Sequence, residues 1–336
     1  MEEIKISVIV AVYGVEKYIG RCVSSLFGQT MTDGVEFIFV NDCTKDRSIE
    51  LLTEILGDYP HLASRVKIIN HLRNRGLAAA RQTGLEAARG DYILHLDSDD
   101  YFETDMLEVM YDAAIAHDSD VVMSDFFLSY KNREVYSACP LPDGRERMLK
   151  SMIAPWSHGS SFTCLWNKLT KRRIYIDTNI RFIEGINYGE DLTVAIKILY
   201  HAAAITKVDR ALIHYNQENP CSYTRDRSAS NIRQLLKATD VVSDFLSAYT
   251  TAYDDVLDER RFLMILLAIT HSGIKEQREF LQLYPWLDYD KHKHILPFHW
   301  RFPYKMALRG HLRFFCCMRG GIRAAGRIYK KMRAML

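Results

Sequence analysis

Five short apolar runs, the first four each followed by a stretch with helical spacing, constrain this chain more than any other feature. Ile4 to Val12 is nearly continuous in aliphatic residues (Ile4, Ile6, Val8, Ile9, Val10, Val12), the pattern of a strand buried on both faces of a parallel sheet. Tyr13-Gly14 breaks it, and Glu16 to Gln29 then places Ile19, Cys22, Val23, Leu26 and Phe27 at helical intervals. The alternation repeats. Val35 to Val40 precedes a helix capped by Asp46 or Ser48, and Val66 to Ile69 precedes an Ala-rich helix from Asn74-Arg75-Gly76 to Ala88. Tyr92 to Leu96 precedes Thr104 to His117, and Asp120 to Met123 is a fifth strand. Strands alternating with helices predict a doubly wound, mostly parallel α/β sheet with right-handed crossovers.

In such a sheet ligands bind at the carboxyl ends of the strands. Polar side chains gather there: Tyr13 after the first strand, Asp42 after the second, and Asp97-Ser98-Asp99-Asp100 after the fourth. Three carboxylates within four residues repel one another and raise one another's pKa unless a cation lies between them. Oxygen donors of this kind suit Mg²⁺ or Mn²⁺, which take one or two carboxylates plus substrate phosphates. The plainer reading is a solvated turn that caps the helix beginning near Thr104. No Gly-x-Gly-x-x-Gly follows the first strand and no Gly-Lys-Ser/Thr occurs, which argues against dinucleotide and P-loop sites.

Further along, Trp166-Asn167-Lys168-Leu169 reads as a short helical stretch. The loop Glu184 to Gly189 delivers Glu190-Asp191 to the first turn of a helix, where acidic residues also serve simply to complement the helix dipole. Ile205 to Val208 and Ala211 to Tyr215 read as two strands. Beyond Ser228 the spacing is helical: Ile232 to Tyr249, Glu259 to Ser272, Glu276 to Tyr284.

Several motifs in fixed order resemble the family 2 glycosyltransferases over roughly residues 4 to 225. They are Val8-Ile9-Val10-Ala11-Val12-Tyr13, Phe39-Val40-Asn41-Asp42, Asn74-Arg75-Gly76-Leu77-Ala78-Ala79-Ala80-Arg81, Asp97-Ser98-Asp99-Asp100, Trp166-Asn167-Lys168 and Gly189-Glu190-Asp191. The resemblance implies a nucleotide-diphospho-sugar transferase (GT-A) fold, a UDP-sugar donor and single-displacement, inverting transfer to a hydroxyl of a glycan or lipid-linked acceptor in polysaccharide or lipopolysaccharide synthesis. Under it, Tyr13 packs on the nucleobase, Asp42 accepts the base N–H, and Asp97 with Ser98 meets the ribose. Asp99 binds Mn²⁺ or Mg²⁺ bridging the two phosphates, and Asp191 is the general base, with Glu190 orienting acceptor or loop. Arg81 neutralises a phosphate or pairs with a site carboxylate, unless it is an ordinary surface arginine. His214 is a candidate second metal ligand, although a lone strand histidine is more often structural. Ala11 and Gly14 stand where the family usually has Pro and Asn, and Cys43 and Lys45 where Gly and Thr are common.

The implied domains are residues 1–225, divided into a nucleotide-sugar half (1–125) and an acceptor half (126–225), and a helical region over 226–336. Charge separates them as well. After Asp290 there is no acidic residue but twelve Lys or Arg, leaving 32 basic against 42 acidic residues before it. Leu308, Leu312, Phe315 and Ile322 interleave with Arg309, Arg313, Arg319 and Arg323, a basic helix suited to an anionic membrane surface or to packing with its charges in water; Gly320-Gly321 is expected to interrupt it. The acidic body argues against nucleic acid. Seven cysteines without a CxxC pair fit a reducing compartment, and Met1-Glu2-Glu3 running into a strand does not resemble a signal peptide. No apolar run nears the ~20 residues of a spanning helix. The expected location is cytoplasmic, peripheral on the inner face of the cell membrane. Two alternatives have different requirements. A sugar-phosphate nucleotidyltransferase would need a Gly-rich basic loop after the first strand, which Tyr13-Gly14-Val15-Glu16 is not. A non-catalytic membrane adaptor derived from a transferase would not need both base and metal carboxylates.

Overall fold

The computed structural model describes residues 3–155, 163–220, 226 and 228–333, with side chains to residue 322. The chain forms two compact units, Met1–Met152 with His158–Ser222, and Ile153–Ser157 with Tyr223–Leu336.

The first unit is built on a nine-stranded sheet. Strands β1 (Ile6–Val12), β2 (Val35–Asn41), β3 (Val66–Asn70) and β4 (Tyr92–Asp97) are parallel, in the order β3-β2-β1-β4, with helices α1 (Ile19–Phe27), α2 (Ser48–Gly57) and α3 (Leu77–Ala87) as crossovers. The apolar runs of β1, β2 and β4 are buried at all but one position each, as strands covered on both faces must be, whereas β3 at the edge of the sheet is only half-buried. Phe27, Phe37 and Phe39 pack edge to face between α1 and the sheet, and each such side chain stabilises the fold by about 1.5–3 kcal/mol relative to exposure.

Beyond β4 the sheet is mixed. The short β5 (Tyr101–Phe102) and α4 (Met106–Ala116) are followed by β6 (Val121–Tyr130), β7 (Arg133–Ser137), α5 (Arg145–Ile153) and β8 (Lys168–Lys171). Then come α6 (Arg172–Asp177), α7 (Glu190–His201) and β9 (Ile205–Asn216). The order continues β4-β8-β6-β9-β5, with β8 antiparallel to both neighbours. Two expectations change here. The stretch expected to be helical at Trp166 to Leu169 turns into β8, a four-residue strand too short and too polar at its ends for periodicity to reveal. The two strands expected between Ile205 and Tyr215 are one, because Asp209-Arg210 is a bulge: Ser124 pairs with Val208 but Asp125 pairs with Ala211.

In the second unit helices Ala229–Ser247, Asp254–Thr270, Ile274–Leu281, Phe298–Leu308 and Leu312–Arg333 enclose a core that includes Leu236, Phe262, Ile265, Phe280, Tyr304 and Phe315. The last helix runs through Gly320-Gly321 without the interruption expected. Among the described residues no helix is long and apolar enough to cross a membrane.

One contact fixes the entry to α3. Gly76 has φ +89°, and a Cβ there would lie 2.3 Å from the Asn187 side chain, whose Oδ1 accepts from the Ala78 N–H at the start of the helix (3.1 Å). Gly76→Ala is therefore expected to lower the unfolding free energy by about 1–3 kcal/mol, measured by urea denaturation; unchanged stability would contradict the tight fit.

Candidate active site

The strand register brings the polar strand ends together. Val12 pairs with Asn41 and Ala11 with Asp97, so Tyr13, Asp42 and Ser98 to Asp100 all step off the same edge of the sheet. Tyr13 leaves its ring 52% exposed there, an open aromatic surface beside the acidic cluster's strand. Asp42 is buried and organises the neighbouring loop: its Oδ1 accepts from Arg75 N (2.8 Å), its Oδ2 from Gly76 N (2.7 Å), and His71 Nδ1 lies 2.7 Å from Oδ1. Cys43, at a position where the family commonly has glycine, sits at φ 60° in the left-handed region, which accounts for that preference. Ser98 is buried within the turn that follows Asp97.

Arg81 joins the two halves of the site. Helix α3 is rich in alanine because it packs close on the sheet; Gly84 lies so near β1 that a Cβ would meet Ile9 Cγ2 at 2.3 Å. That closeness carries Arg81 inward, where it is 2% exposed. Its Nη2 donates to Asp97 Oδ1 (2.6 Å), and its Nη1 donates to Glu190 Oε1 (2.9 Å) and to Asp191 Oδ1. The surface reading of Arg81 is thus replaced by a pairing with site carboxylates. Gly189 (φ +97°) reverses the chain so that Glu190 and Asp191 open α7 facing this guanidinium. Burial by itself would lower the pKa of Arg81, but Asp191, Asp97 and Glu190 outweigh it and hold the group charged.

The acids respond to the same balance. Burial, and then the charge of Asp191, push Glu190 up to about 8 against the pull of Arg81. Asp191 is raised by burial, and by Asp97, against Arg81; its Oδ2 also accepts weakly from Leu165 N (3.4 Å). Asp99 is pushed up to about 6 by burial and by Asp97, with a hydrogen bond from Asn219 opposing. Asp100 is raised further by burial and by both neighbouring aspartates.

Strand β9 returns to this cluster. Asn216 N donates to Asp100 Oδ1 (2.8 Å) and Asn219 Nδ2 to Asp99 Oδ2 (2.8 Å). Neither asparagine stood out in the sequence, because their partners lie more than a hundred residues away. Lys168, also unassigned from sequence, is buried with Nζ donating to Cys164 O (2.7 Å) and Asn167 Oδ1 (2.8 Å), and its charge reaches Asp191. The Trp-Asn-Lys motif was the available signal.

His214 lies among aromatic rings and carboxylates. Its ring is stacked between Tyr101 (4.2 Å) and Phe127 (4.9 Å). Both nitrogens are engaged, Nδ1 with Glu134 Oε1 (2.6 Å) and Nε2 with Glu103 Oε1 (2.8 Å). These contacts tie β9 to β7 and to the residue after β5.

The acidic cluster itself fits a divalent ion. Asp97, Asp99 and Asp100 offer only oxygen, as hard cations require, and Asp100 Oδ2 is buried without a hydrogen-bond partner. The raised Asp99 marks the same uncompensated negative charge. Among the described residues no three His, Cys, Asp or Glu side chains are grouped so as to hold a metal ion by themselves.

Residues 7–178 match the family described as glycosyl transferase family 2. The uncharacterized glycosyltransferase EpsJ of Bacillus subtilis is 34% identical over 222 residues, covering 65% of this chain and 62% of that relative. The cholesterol galactosyltransferase of Borreliella burgdorferi is 30% identical over 215 residues, covering 61% and 58%. The chain thus spans about three-fifths of the length of these relatives. Among solved structures, S. aureus TarS 1-349 in complex with UDP-GlcNAc superposes with a TM-score of 0.68 at 19% identity, over 96% of this chain and 92% of that one. The mannosyltransferase PcManGT of Pyrobaculum calidifontis, in complex with GDP-Man and Mn²⁺, gives 0.55 at 15% identity, over 96% and 86%. At these identities the structural likeness carries the fold, which is the expected GT-A type with C-terminal helices.

The protonation of Glu190 provides a direct check. In the folded chain it keeps its proton up to about pH 8, against about 4.3 when unfolded. Between those values the folded state holds the extra proton, so stability is greatest below the window and falls as pH rises through it. Without added metal, the wild-type unfolding free energy should fall between pH ~5 and ~8, and Glu190→Gln should flatten that fall. An identical slope in the variant would contradict the placement of Glu190 against Asp191.

Proposed function

The chain belongs to glycosyl transferase family 2, and from that membership we propose an inverting, divalent-metal-dependent transfer of a sugar from a UDP-sugar to a hydroxyl of a glycan or lipid-linked acceptor in cell-surface polysaccharide or lipopolysaccharide synthesis. The observation that carries the proposal is the guanidinium of Arg81, which touches the donor-side Asp97 and the acceptor-side Asp191 at once. Any ligand spanning these two carboxylates is held within one small site. UDP-GlcNAc in TarS and GDP-Man with Mn²⁺ in PcManGT support a nucleotide-sugar donor and a metal.

Each group then has one task. Tyr13 offers its open face to the nucleobase, where a flat ring provides contact area at low entropic cost. Asp42, with one lone pair left on Oδ2 after its backbone contacts, accepts the base N–H. Asp97 and Ser98 lie toward the ribose. Asp99 would hold Mn²⁺ or Mg²⁺, which when bound neutralises charge on the departing diphosphate. Asp191 takes the proton of the acceptor hydroxyl as its oxygen bonds to the anomeric carbon. The bond from that carbon to the diphosphate breaks at the same time, and its electron pair leaves with the UDP. A single displacement needs this one base and no enzyme nucleophile. Burial raises Asp191 above the ordinary carboxylate range, which makes it the more basic oxygen acceptor, and Arg81 opposes that rise. Glu190, protonated near neutrality, orients the loop without competing for the acceptor proton. The basic residues after Asp290 would hold the enzyme peripherally at the inner face of the cell membrane, where lipid-linked acceptors are found.

Two substitutions separate the roles. Asp191→Asn should leave metal-dependent UDP binding unchanged while reducing transfer by about 10²–10⁴-fold. Asp99→Ala should remove both. Calorimetry with UDP and Mn²⁺, beside a UDP-release assay across a panel of nucleotide-sugars, reads both outcomes. Wild-type turnover in Asp191→Asn would refute the base, and a chain stabilised by no nucleotide with metal would be an adaptor instead of an enzyme.

A further inference from the structure

Residues Phe298, Phe302, Phe314 and Met318 are 84%, 58%, 41% and 37% exposed, although each is large and apolar. Their spacing places them together. Phe298 and Phe302 are four apart on the helix Phe298–Leu308, and Phe314 and Met318 are four apart on the helix Leu312–Arg333, so each pair shares one helix face. The rings of Phe302 and Phe314 meet edge to face at 5.9 Å, which joins the two pairs into one strip. Packing within the unit does not require them. The inward residues of the same helices, Tyr304, Ala307, Leu312 and Phe315, already form its core. Scattered exposed hydrophobics are ordinary, but a contiguous strip of three phenylalanines and a methionine marks a surface that is covered in use.

The charge around the strip selects the cover. Arg309 and Arg313 are exposed at the turn between the two helices, and the sequence beyond adds Arg323, Arg327, Lys330, Lys331 and Arg333 with no acidic residue after Asp290. A second copy of this chain would set the same cations against themselves. An anionic lipid surface instead accepts both components, the rings at the acyl boundary and the cations among the headgroups. We infer that the hairpin of these two helices inserts the Phe298-Phe302-Phe314-Met318 strip into the interface of an anionic membrane. The inference deepens the peripheral-membrane reading above by naming the inserted face, and it rests on that reading.

Flotation of the full chain with phosphatidylcholine vesicles, with and without phosphatidylglycerol, tests both levels. Wild type should float only with the anionic vesicles and should release as salt is raised. The variant Phe298→Ser/Phe302→Ser/Phe314→Ser changes outward positions only and should keep the wild-type circular dichroism while losing about 100-fold in partitioning. In Phe298→Trp the indole emission should shift to the blue on anionic vesicles and be quenched by brominated lipid. Wild type that floats while the triple variant partitions equally and Phe298→Trp shows no shift overturns the inserted face but leaves membrane binding standing. Wild type that fails to float on anionic vesicles overturns both. A concentration-dependent dimer that the triple variant abolishes, with no vesicle binding, assigns the strip to a second copy and likewise overturns the inference.

Discussion

A guanidinium removed from water needs compensation by negative charge, and Arg81 obtains it from three carboxylates on two distant segments of the chain. One positive charge cannot balance three negative ones in a buried site. Part of the excess is absorbed because Glu190 retains its proton near neutrality; the rest stays on the Asp97 to Asp100 turn, which is short of positive charge. That shortfall is what suits the turn to a divalent cation and a diphosphate. The ion pairs that hold the site together and the chemistry proposed for it therefore share one electrostatic cause. Removing either partner would leave a buried charge alone, which is far more costly than the pair itself is stabilising.

The scaffold's contribution is placement. A parallel register aligns the ends of β1, β2 and β4, an alanine-rich helix lies close enough for Arg81 to reach past the sheet edge, and the Gly76–Asn187 contact fixes where that helix begins. On the opposite side Gly189 turns the chain into α7, and the end of β9 with the residues just after it supplies Asn216 and Asn219 to the aspartates. His214 belongs to this support. Held between Glu103 and Glu134 and stacked on Tyr101, it secures the strand that ends at Asn216 and leads to Asn219.

Much of this was legible in the sequence because it is local. Buried parallel strands announce themselves as unbroken apolar runs, and the strand-end motifs are contiguous, so the sequence alone places β1 to β4 and sets Tyr13, Asp42, Asp97 and Asp99 at strand ends. What could not be read depends on partners far along the chain. The sequence offers a site carboxylate as a partner for Arg81 but not which three it meets, and the Glu103 and Glu134 partners of His214 lie 111 and 80 residues away. Strand β8 is hidden by its length, and the polar Asp209-Arg210 bulge that the sheet accommodates makes β9 read as two strands. Gly320-Gly321 failed to break the last helix, since two glycines weaken a helix by only about 2 kcal/mol.

The sharing of Arg81 between the donor and acceptor sides is most directly measured by a double-mutant cycle in chemical unfolding. Arg81→Met should cost about 3–5 kcal/mol in the wild-type chain, where it strands the carboxylates. In an Asp97→Asn/Asp191→Asn background it should cost less by more than about 1 kcal/mol, since the stranded charges are already gone. Costs that simply add, in either order, would mean that Asp97 and Asp191 do not meet at one guanidinium.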